Sequence, residues 1–228
     1  TDFDLTGAYP TCLSGVRQPD WDRAFSTTDP SDFSVDQMGV AFVEWEFAEG
    51  TRYPCLFTSD RDGDGRGLIF TRSGSGFVTG PEIAVARRAG ARIEIKKGYV
   101  VPWKDNETAP FLDFVRFTVR ERAKAKASGD QVLNLFWKLM GNSTYGKTAQ
   151  GIRKRTTLNL RTNENVQLPE SSITCPFVAS YVTGLCRSVI GEILLALPDD
   201  IVVLNAITDG ICCTATMDQM LKAATGPA

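Results

Sequence analysis

Residues 138–146 constrain the fold of this sequence more strongly than any other stretch. Their sequence is Lys-Leu-Met-Gly-Asn-Ser-Thr-Tyr-Gly, which indicates a lysine-bearing helix that continues into small polar residues, a tyrosine and a glycine. We predict that the helix begins near Asp130 and that one of its faces is committed to packing, while Lys138 lies off that face. The apolar residues of that face recur at three- and four-residue spacing: Leu133, Phe136, Leu139 and Met140.

Lys138 has two interpretations. A lysine held on a rigid helix beside a tyrosine ring is suited to contact a phosphate chain while the ring contacts a base or a sugar. The other interpretation is an ordinary amphipathic helix with a solvated lysine, which is the commoner case for a single charge on a helix face. Features elsewhere in the sequence are needed to choose between these two interpretations.

Composition narrows the class of protein. A chain of 228 residues that is 43% hydrophobic can bury a core as one large or two small domains. No apolar run is expected to approach the ~20 residues of a membrane span, and no signal peptide opens the chain, so we expect an intracellular protein without a membrane partner. The first residue is not Met, and we expect a fragment of something longer.

The sequence limits the types of side chain that could carry out catalysis. The six cysteines lack CxxC spacing and the chain has no histidine, which argues against a zinc site and excludes serine–histidine and cysteine–histidine mechanisms. Carboxylates, lysines, tyrosines or metal ions must then do the chemistry. Residues 1–64 carry 13 acidic and 4 basic side chains, whereas residues 116–155 carry 10 basic and 2 acidic ones. A basic segment around the helix of Lys138 suggests a polyanionic partner.

Strand patterns dominate from about 21 to 101, and helical patterns follow. We predict short strands at 39–47, 53–58, 67–71 and 92–99, separated by Gly/Asp/Ser clusters, with one helix that begins after Thr79. A helix from Pro110 to a break at Ser128 and Gly129 should pair with the helix from Asp130 as an antiparallel hairpin. A strand hairpin is expected within 150–172, and Pro176 should open the longest helix, whose broad apolar face indicates a core helix.

Residues 60–65 resemble the first half of a calcium-binding loop, with the sequence Asp-Arg-Asp-Gly-Asp-Gly. The twelfth position is Thr71, where such a loop needs a bidentate glutamate, and the flanks are predicted as strands instead of helices. A hairpin turn is the favoured interpretation, and a calcium-binding structural domain is the alternative.

Two carboxylates fall at predicted strand ends. Asp4 follows a short buried strand and precedes a turn at 6–10, although a turn or capping aspartate would look the same. Asp209 lies at the tip of a hairpin between a buried strand at 201–207 and a returning strand at 211–214. Two carboxylates beside a basic helical hairpin centred on Lys138 are what two-metal phosphoryl transfer requires, and we expect two Mg²⁺ ions as cofactors.

Three motifs in chain order resemble those of family B DNA polymerases, and in particular the protein-primed branch of phages, viruses and linear plasmids. Residues 4–10 resemble motif A (DxxSLYP), residues 138–146 match motif B (KxxxNSxYG), and residues 208–209 match the end of motif C (YxDTD). Gly7 and Ala8 replace the usual Ser and Leu of motif A. In motif C, Asn205 stands for the usual Tyr and Ile207 for the first Asp.

The resemblance implies an α+β fold with a polymerase palm, formed by an antiparallel sheet with packed helices, a helical-hairpin fingers domain and two strand-rich insertions. It implies palm with motif A at 1–21, palm with the first insertion at 22–109, and fingers with motif B at 110–149. The second insertion hairpin would occupy 150–172, and palm with motif C would occupy 173–228 and end before a thumb.

The resemblance also implies a role for each motif residue. Asp4 and Asp209 would be the catalytic, metal-binding residues. Nucleotide binding would fall to the sugar gate Tyr9 and to Lys126, Lys138, Asn142 and Tyr145. DNA contacts would come from Ser143, Gly146, Lys147, Arg153, Lys154 and Arg155. The implied partners are a DNA primer-template, deoxynucleoside triphosphates and a terminal priming protein, and the implied activity is DNA-directed DNA polymerisation. The alternative is a polymerase-like DNA-binding module that has lost catalysis, because Ile207 replaces a motif C carboxylate.

Overall fold

The computed structural model describes residues 1–59, 67–106, 108–152 and 155–227. Its strands are β1 (Asp2–Asp4), β2 (Phe25–Thr27), β3 (Met38–Glu46), β4 (Phe57–Ser59), β5 (Leu68–Phe70), β6 (Ser73–Thr79), β7 (Arg92–Val101), β8 (Thr156–Asn159), β9 (Glu164–Gln167), β10 (Val203–Ile207) and β11 (Gly210–Cys213). Its α-helices are α1 (Ala8–Ser14), α2 (Gly80–Arg88), α3 (Leu112–Ala127), α4 (Gln131–Thr148), α5 (Pro176–Ala196) and α6 (Met217–Ala223). The predicted mixture of antiparallel sheets and helices is confirmed.

A three-stranded antiparallel sheet joins the two ends of the chain. Its order is β1-β11-β10, so the first strand pairs with one that lies about two hundred residues later. The predicted hairpin around Asp209 is confirmed, since Ile207 pairs with Gly210. The predicted burial of its first strand is wrong, because β10 is an edge strand and Leu204 and Ile207 are 70% and 64% exposed.

A four-stranded antiparallel sheet with the order β2-β7-β3-β6 contains the predicted strands at 39–47 and 92–99. Strand β6 was expected to be a connection, because its sequence is rich in serine and glycine. The glycines are required by close packing. A Cβ on Gly74 would lie 2.7 Å from Thr58 Cγ2 and 2.9 Å from Trp45 Cζ2. Since such distances are shorter than carbon atoms tolerate, the neighbouring side chains select glycine inside a strand.

Two shorter predictions need correction. Only β4 forms within the strand expected at 53–58, and it pairs with β5 from Phe57↔Phe70 to Ser59↔Leu68. The calcium-loop resemblance at 60–65 lies outside the described residues. The turn expected at 6–10 is shorter than predicted, because α1 begins at Ala8 and takes Pro10 into its first turn, where proline costs no hydrogen bond.

The predicted helical hairpin is confirmed. Helix α3 ends at the break formed by Ser128 and Gly129, and Asp130 caps α4 by accepting a hydrogen bond of 2.9 Å from the Leu133 N–H. The expected packing face of α4 is wrong. Leu133 is 47% exposed and Leu139 is 58% exposed. The side of α4 that turns inward carries other residues: Trp137, Gly141, Tyr145 and Thr148.

Helix α5 is the longest helix of the described residues, as predicted, and its apolar face packs in the core. By length and composition it could cross a membrane, contrary to the expectation that no apolar run approaches that length. Of its most apolar window, 56% is buried inside the protein, as is common for core helices. The predicted strand hairpin at 150–172 is confirmed by β8 and β9, which pair from Thr156↔Gln167 to Asn159↔Glu164.

Candidate functional site

Asp4 and Asp209 lie at the ends of neighbouring strands. Asp4 is the last residue of β1 and pairs with Gly210, the residue after Asp209. The Leu5 N–H donates a hydrogen bond of 2.9 Å to the Asp209 carbonyl, which ties the two strand ends together. Both aspartates line one cavity of about 280 Å³, and Asp2 lines it as well. The fold thus brings together the two carboxylates that the sequence suggested.

The turn that carries Asp209 has an unusual backbone. Thr208 has φ 57°, a left-handed conformation that a β-branched residue rarely adopts. The hairpin pairing of Ile207 with Gly210 leaves only Thr208 and Asp209 to reverse the chain. Strained backbone of this kind is often kept where function depends on it, which makes the turn a candidate functional element.

Tyr9 is placed by the turn that follows Asp4. Gly7 has φ +61°, which a glycine adopts without strain, and the turn delivers Tyr9 into the first turn of α1. The Tyr9 ring stacks on the Tyr145 ring of α4, with centroids 4.7 Å apart and an interplanar angle of 12°. Burial is the largest influence on both tyrosines and raises the pKa of each hydroxyl, while the nearby Arg187 opposes the rise. The predicted gate tyrosine and the motif B tyrosine therefore form one stacked pair.

Gly141 lies where α4 packs against α1 and α3. It is buried, and a Cβ at this position would lie 3.6 Å from Pro10 Cγ and 3.7 Å from Thr118 Oγ1. These are ordinary van der Waals distances, so an alanine would fit there without moving α4 away from α1.

Lys138 and Asn142 are exposed on α4, one turn apart. Lys126 is exposed near the end of α3. The Arg122 Nε donates to Asn134 Oδ1 at 3.2 Å, which sets these two residues at the same level of the hairpin. From that register, Lys126 lies roughly 12 Å further toward the tip than Lys138, at 1.5 Å per residue. The two lysines share the hairpin but are not neighbours.

Of the residues predicted to contact DNA, Ser143, Gly146 and Lys147 lie in the last part of α4. Ser143 Oγ donates to the Met140 carbonyl at 3.1 Å, and Lys147 Nζ donates to Gln150 Oε1 at 2.7 Å. Gly146 and Arg155 line a cavity of about 550 Å³ together with Tyr145. Arg153 and Lys154 lie outside the described residues.

Asp4 and Asp209 are the candidate metal ligands. Among the described residues, no group of three or more acidic, cysteine or histidine side chains is arranged to hold an ion. Two carboxylates nevertheless fit Mg²⁺, because this ion commonly takes one or two protein carboxylates and completes its octahedron with water and substrate phosphates. The exposed Asp4 and the half-buried Asp209, on adjacent strand ends of one cavity, supply that donor set.

One polar pair was missed by the sequence analysis. Arg187 of α5 lines a cavity of about 600 Å³ together with Tyr9 and Thr208. Its Nε donates to Glu82 Oε1 of α2 at 2.7 Å. Arg187 falls within a helix predicted as core, and Glu82 looked like an ordinary first-turn acid, so only an isolated charge inside an apolar helix was available as a signal.

The comparisons with known proteins agree with one another. The family model described as "DNA polymerase type B, organellar and viral" matches residues 2–177. "Primer-independent DNA polymerase PolB" of Escherichia coli is 38% identical over 226 residues, which cover 96% of this chain and 26% of that protein. The "DNA-directed DNA polymerase" of Enterobacteria phage PRD1 is 26% identical over 149 residues, which cover 65% of this chain and 24% of that protein.

A solved structure shows the same fold. Phi29 DNA polymerase complexed with primer-template DNA superposes with a TM-score of 0.61 at 18% identity, over 94% of this chain and 38% of that chain. The chain therefore spans about a quarter of the length of the curated relatives and less than half of the solved one.

Proposed function

The chain belongs to the organellar and viral type of family B DNA polymerases, and we propose that it forms the catalytic part of a DNA-directed DNA polymerase that adds deoxynucleotides to a 3′ hydroxyl. The observation that carries this proposal is the pairing of Asp4 with Gly210, which sets the carboxylates of two distant motifs on adjacent strand ends. Nucleotidyl transfer needs positioning and charge stabilisation more than covalent chemistry, and this arrangement can supply both.

In the proposed arrangement, the three-stranded sheet with α1 and α5 is the palm and the α3–α4 hairpin is the fingers. The region from β2 to β7 would be the first insertion, and β8 with β9 the second. This division follows the ranges predicted from the motifs. It is supported by the elements themselves, because α3 and α4 pack along each other as one antiparallel pair on either side of the break at Ser128 and Gly129.

Asp4 and Asp209 would hold the Mg²⁺ ions. When bound, these ions lower the pKa of the attacking hydroxyl and stabilise the leaving pyrophosphate. The two carboxylates orient the reacting groups at the cavity that they share. Ile207 stands where the family pattern has a further carboxylate and is 64% exposed, so the substrate phosphates would have to supply more of the ligands.

The hairpin would bind the incoming nucleotide. Lys138 would bind its triphosphate as a flexible point charge. The stacked pair of Tyr9 and Tyr145 would form the floor beneath sugar and base, with Asn142 on the template side. Lys126 would contact phosphates from nearer the tip. Ser143, Gly146, Lys147 and Arg155 would meet the DNA backbone, and Arg153 and Lys154 are assigned to it from their sequence alone.

The hydroxyl on which DNA synthesis starts has two candidate sources, and a different observation supports each. Motif B resembles protein-primed polymerases, whereas the E. coli relative with 38% identity is described as primer-independent. We favour primer-independent initiation, since that relative matches nearly the whole chain. Synthesis on a template without primer or priming protein would support it, and synthesis only after a priming protein is added would contradict it. In either case we expect the protein to act inside the host or producing cell.

The test of the proposed activity uses the full-length protein with a primer-template. Asp209→Asn and Asp4→Asn are each expected to lower Mg²⁺-dependent incorporation at least about 10³-fold, because several kcal/mol of charge stabilisation depend on the metal ligands. Asp218→Asn, an exposed aspartate in the first turn of α6, is the matched control and should leave incorporation unchanged. Full activity in Asp4→Asn or Asp209→Asn would refute the proposal.

The second candidate function is a DNA-binding module without catalysis, and it is motivated by Ile207. It predicts salt-dependent DNA binding without Mg²⁺-dependent turnover in the unmodified protein. The same incorporation assay separates the two candidates.

A further inference from the structure

Arg187 occupies a position of its own on the core helix α5. A quarter of its side chain is exposed, and it lines the 600 Å³ cavity between Tyr9 and the turn that carries Asp209. Its guanidinium also lies over the Phe57 ring of β4, 4.8 Å from the ring centroid. Among the described residues, its terminal nitrogens donate no hydrogen bond, so they are available to a ligand in the cavity that Arg187 lines.

Glu82 holds the opposite edge of Arg187. Its side chain is 1% exposed, and its two oxygens have different tasks. Oε2 accepts hydrogen bonds from the Thr79 N–H at 2.8 Å and from Thr79 Oγ1 at 2.7 Å, which closes the start of α2. Oε1 accepts the bond from Arg187 Nε at 2.7 Å. One carboxylate therefore links the first turn of α2 to the guanidinium at the cavity.

Helices α2 and α5 are in such close contact that the link between Glu82 and Arg187 is rigid. A Cβ on Gly184, one turn before Arg187, would overlap Thr79 Oγ1, so α5 passes against the start of α2 where no side chain fits. The planar guanidinium can present only one edge to a ligand while the other edge is held. Fixing the Nε edge therefore fixes the direction of the terminal nitrogens.

We infer that Glu82 is a positioning residue that holds Arg187 with its terminal nitrogens directed into the cavity, where they bind a backbone phosphate of the DNA strand whose 3′ end is extended. The inference rests on the proposed polymerase function. It extends that function by giving the strand-rich region between motifs A and B a direct mechanical connection to the site, through α2 and β4.

A purely structural role for Glu82 gives different expectations. If the carboxylate only closes the start of α2, its loss lowers stability and leaves the DNA contact intact once the protein is folded. If it positions Arg187, its loss weakens DNA binding selectively. The salt dependence of binding separates the two, since one lost phosphate contact lowers the slope of log affinity against log salt by about 0.9.

The experiment measures primer-template binding by fluorescence anisotropy in the full-length protein over a salt series, without nucleotide. In Glu82→Gln, only one oxygen remains to serve both Thr79 and Arg187. We expect the affinity for primer-template to fall about tenfold, which corresponds to the loss of one charged hydrogen bond. The slope of log affinity against log salt should be lower by about one. Thr79→Ala is the matched control, because it removes a partner of Oε2 and leaves Oε1 alone. It should lower the melting temperature and leave the slope unchanged.

Arg187→Lys keeps the inference testable if Glu82→Gln does not fold. A lysine keeps the charge but cannot present a guanidinium edge fixed by Glu82, while Glu82 still closes α2. It is expected to weaken primer-template binding about tenfold and to leave the Michaelis constant for deoxynucleotide within about twofold. Binding equal to that of the unmodified protein would overturn the inference.

A double variant gives the last test. Adding Glu82→Gln to Arg187→Lys should cause no further loss of DNA affinity, because both changes remove the same contact. An additive loss, or a reduced slope in Thr79→Ala, would contradict the positioning role. If Asp209→Asn abolishes synthesis while Glu82→Gln leaves DNA binding unchanged, the inference fails and the proposed polymerase function stands.

Discussion

The helices α4 and α5 have similar apolar periodicity but opposite surroundings. Nine of the 21 residues of α5 are buried, among them Val182 and Ile193. In α4, the buried residues are Gly141 and Thr148. Helix α5 is enclosed by α1, α2 and the sheets, whereas α4 packs mainly against α3 and contacts α1 and α5 less extensively. Periodic apolar residues therefore predicted both helices correctly and the burial of only one.

The contrast between α4 and α5 shows which side chains attach the helical hairpin to the rest of the protein. Phe117 of α3 packs edge-on against Trp137 of α4, with centroids 5.3 Å apart, and Gly141 and Tyr145 follow on the same side. The aliphatic residues beside Lys138 remain exposed. A hairpin attached along one narrow side can change its angle more easily than a core helix, as is common for elements that close on a substrate.

The largest effect on stability is expected in α5. Ile193 is 3% exposed, so Ile193→Ala removes buried methyl groups and leaves a cavity. We expect the free energy of unfolding to fall by about 3 kcal/mol, to be measured by urea denaturation with unchanged m-value. A loss below about 1 kcal/mol would mean that α5 is packed no better than α4.

An intermediate effect, on activity alone, is expected at Lys138. Lys138→Ala should raise the Michaelis constant for deoxynucleotide about 30-fold, since one charged contact to the triphosphate is lost, while the unfolding free energy changes by less than about 0.5 kcal/mol. Steady-state incorporation by the full-length protein measures it. Lys124→Ala, an exposed lysine of α3, is the matched control. An unchanged Michaelis constant would favour the solvated-lysine interpretation.

The smallest effect is expected at Leu139. Because this side chain is 58% exposed, Leu139→Ala should change the unfolding free energy by less than about 0.5 kcal/mol, in contrast to the same truncation of a buried aliphatic in α5. Urea denaturation under the conditions used for Ile193→Ala measures the difference. A loss near 3 kcal/mol would show that the aliphatic face of α4 is covered in the full-length protein.

Local features of the sequence were sufficient for the helical hairpin. The break at Ser128 and Gly129, the helix start near Asp130 and the helical periods on both sides depend on neighbours within a few residues, and all were predicted. Strand β6 was missed, because its glycines are explained by Trp45 and Thr58, which lie far away in the sequence. The aliphatic stripe of α4 was assigned to packing, although only the position of α1 and α3 decides which side of a helix is covered.

The motifs, their order, the family and most of the elements could be predicted from the sequence, because these depend on residue type and short spacing. Which of those residues contact each other depends on the fold. It brought Asp4 to Asp209 through the pairing of β1 with β11, stacked Tyr9 on Tyr145, and joined Glu82 to Arg187 across 105 positions. Such contacts depend on how whole elements pack, and the free energy of packing is not contained in any single stretch of the chain.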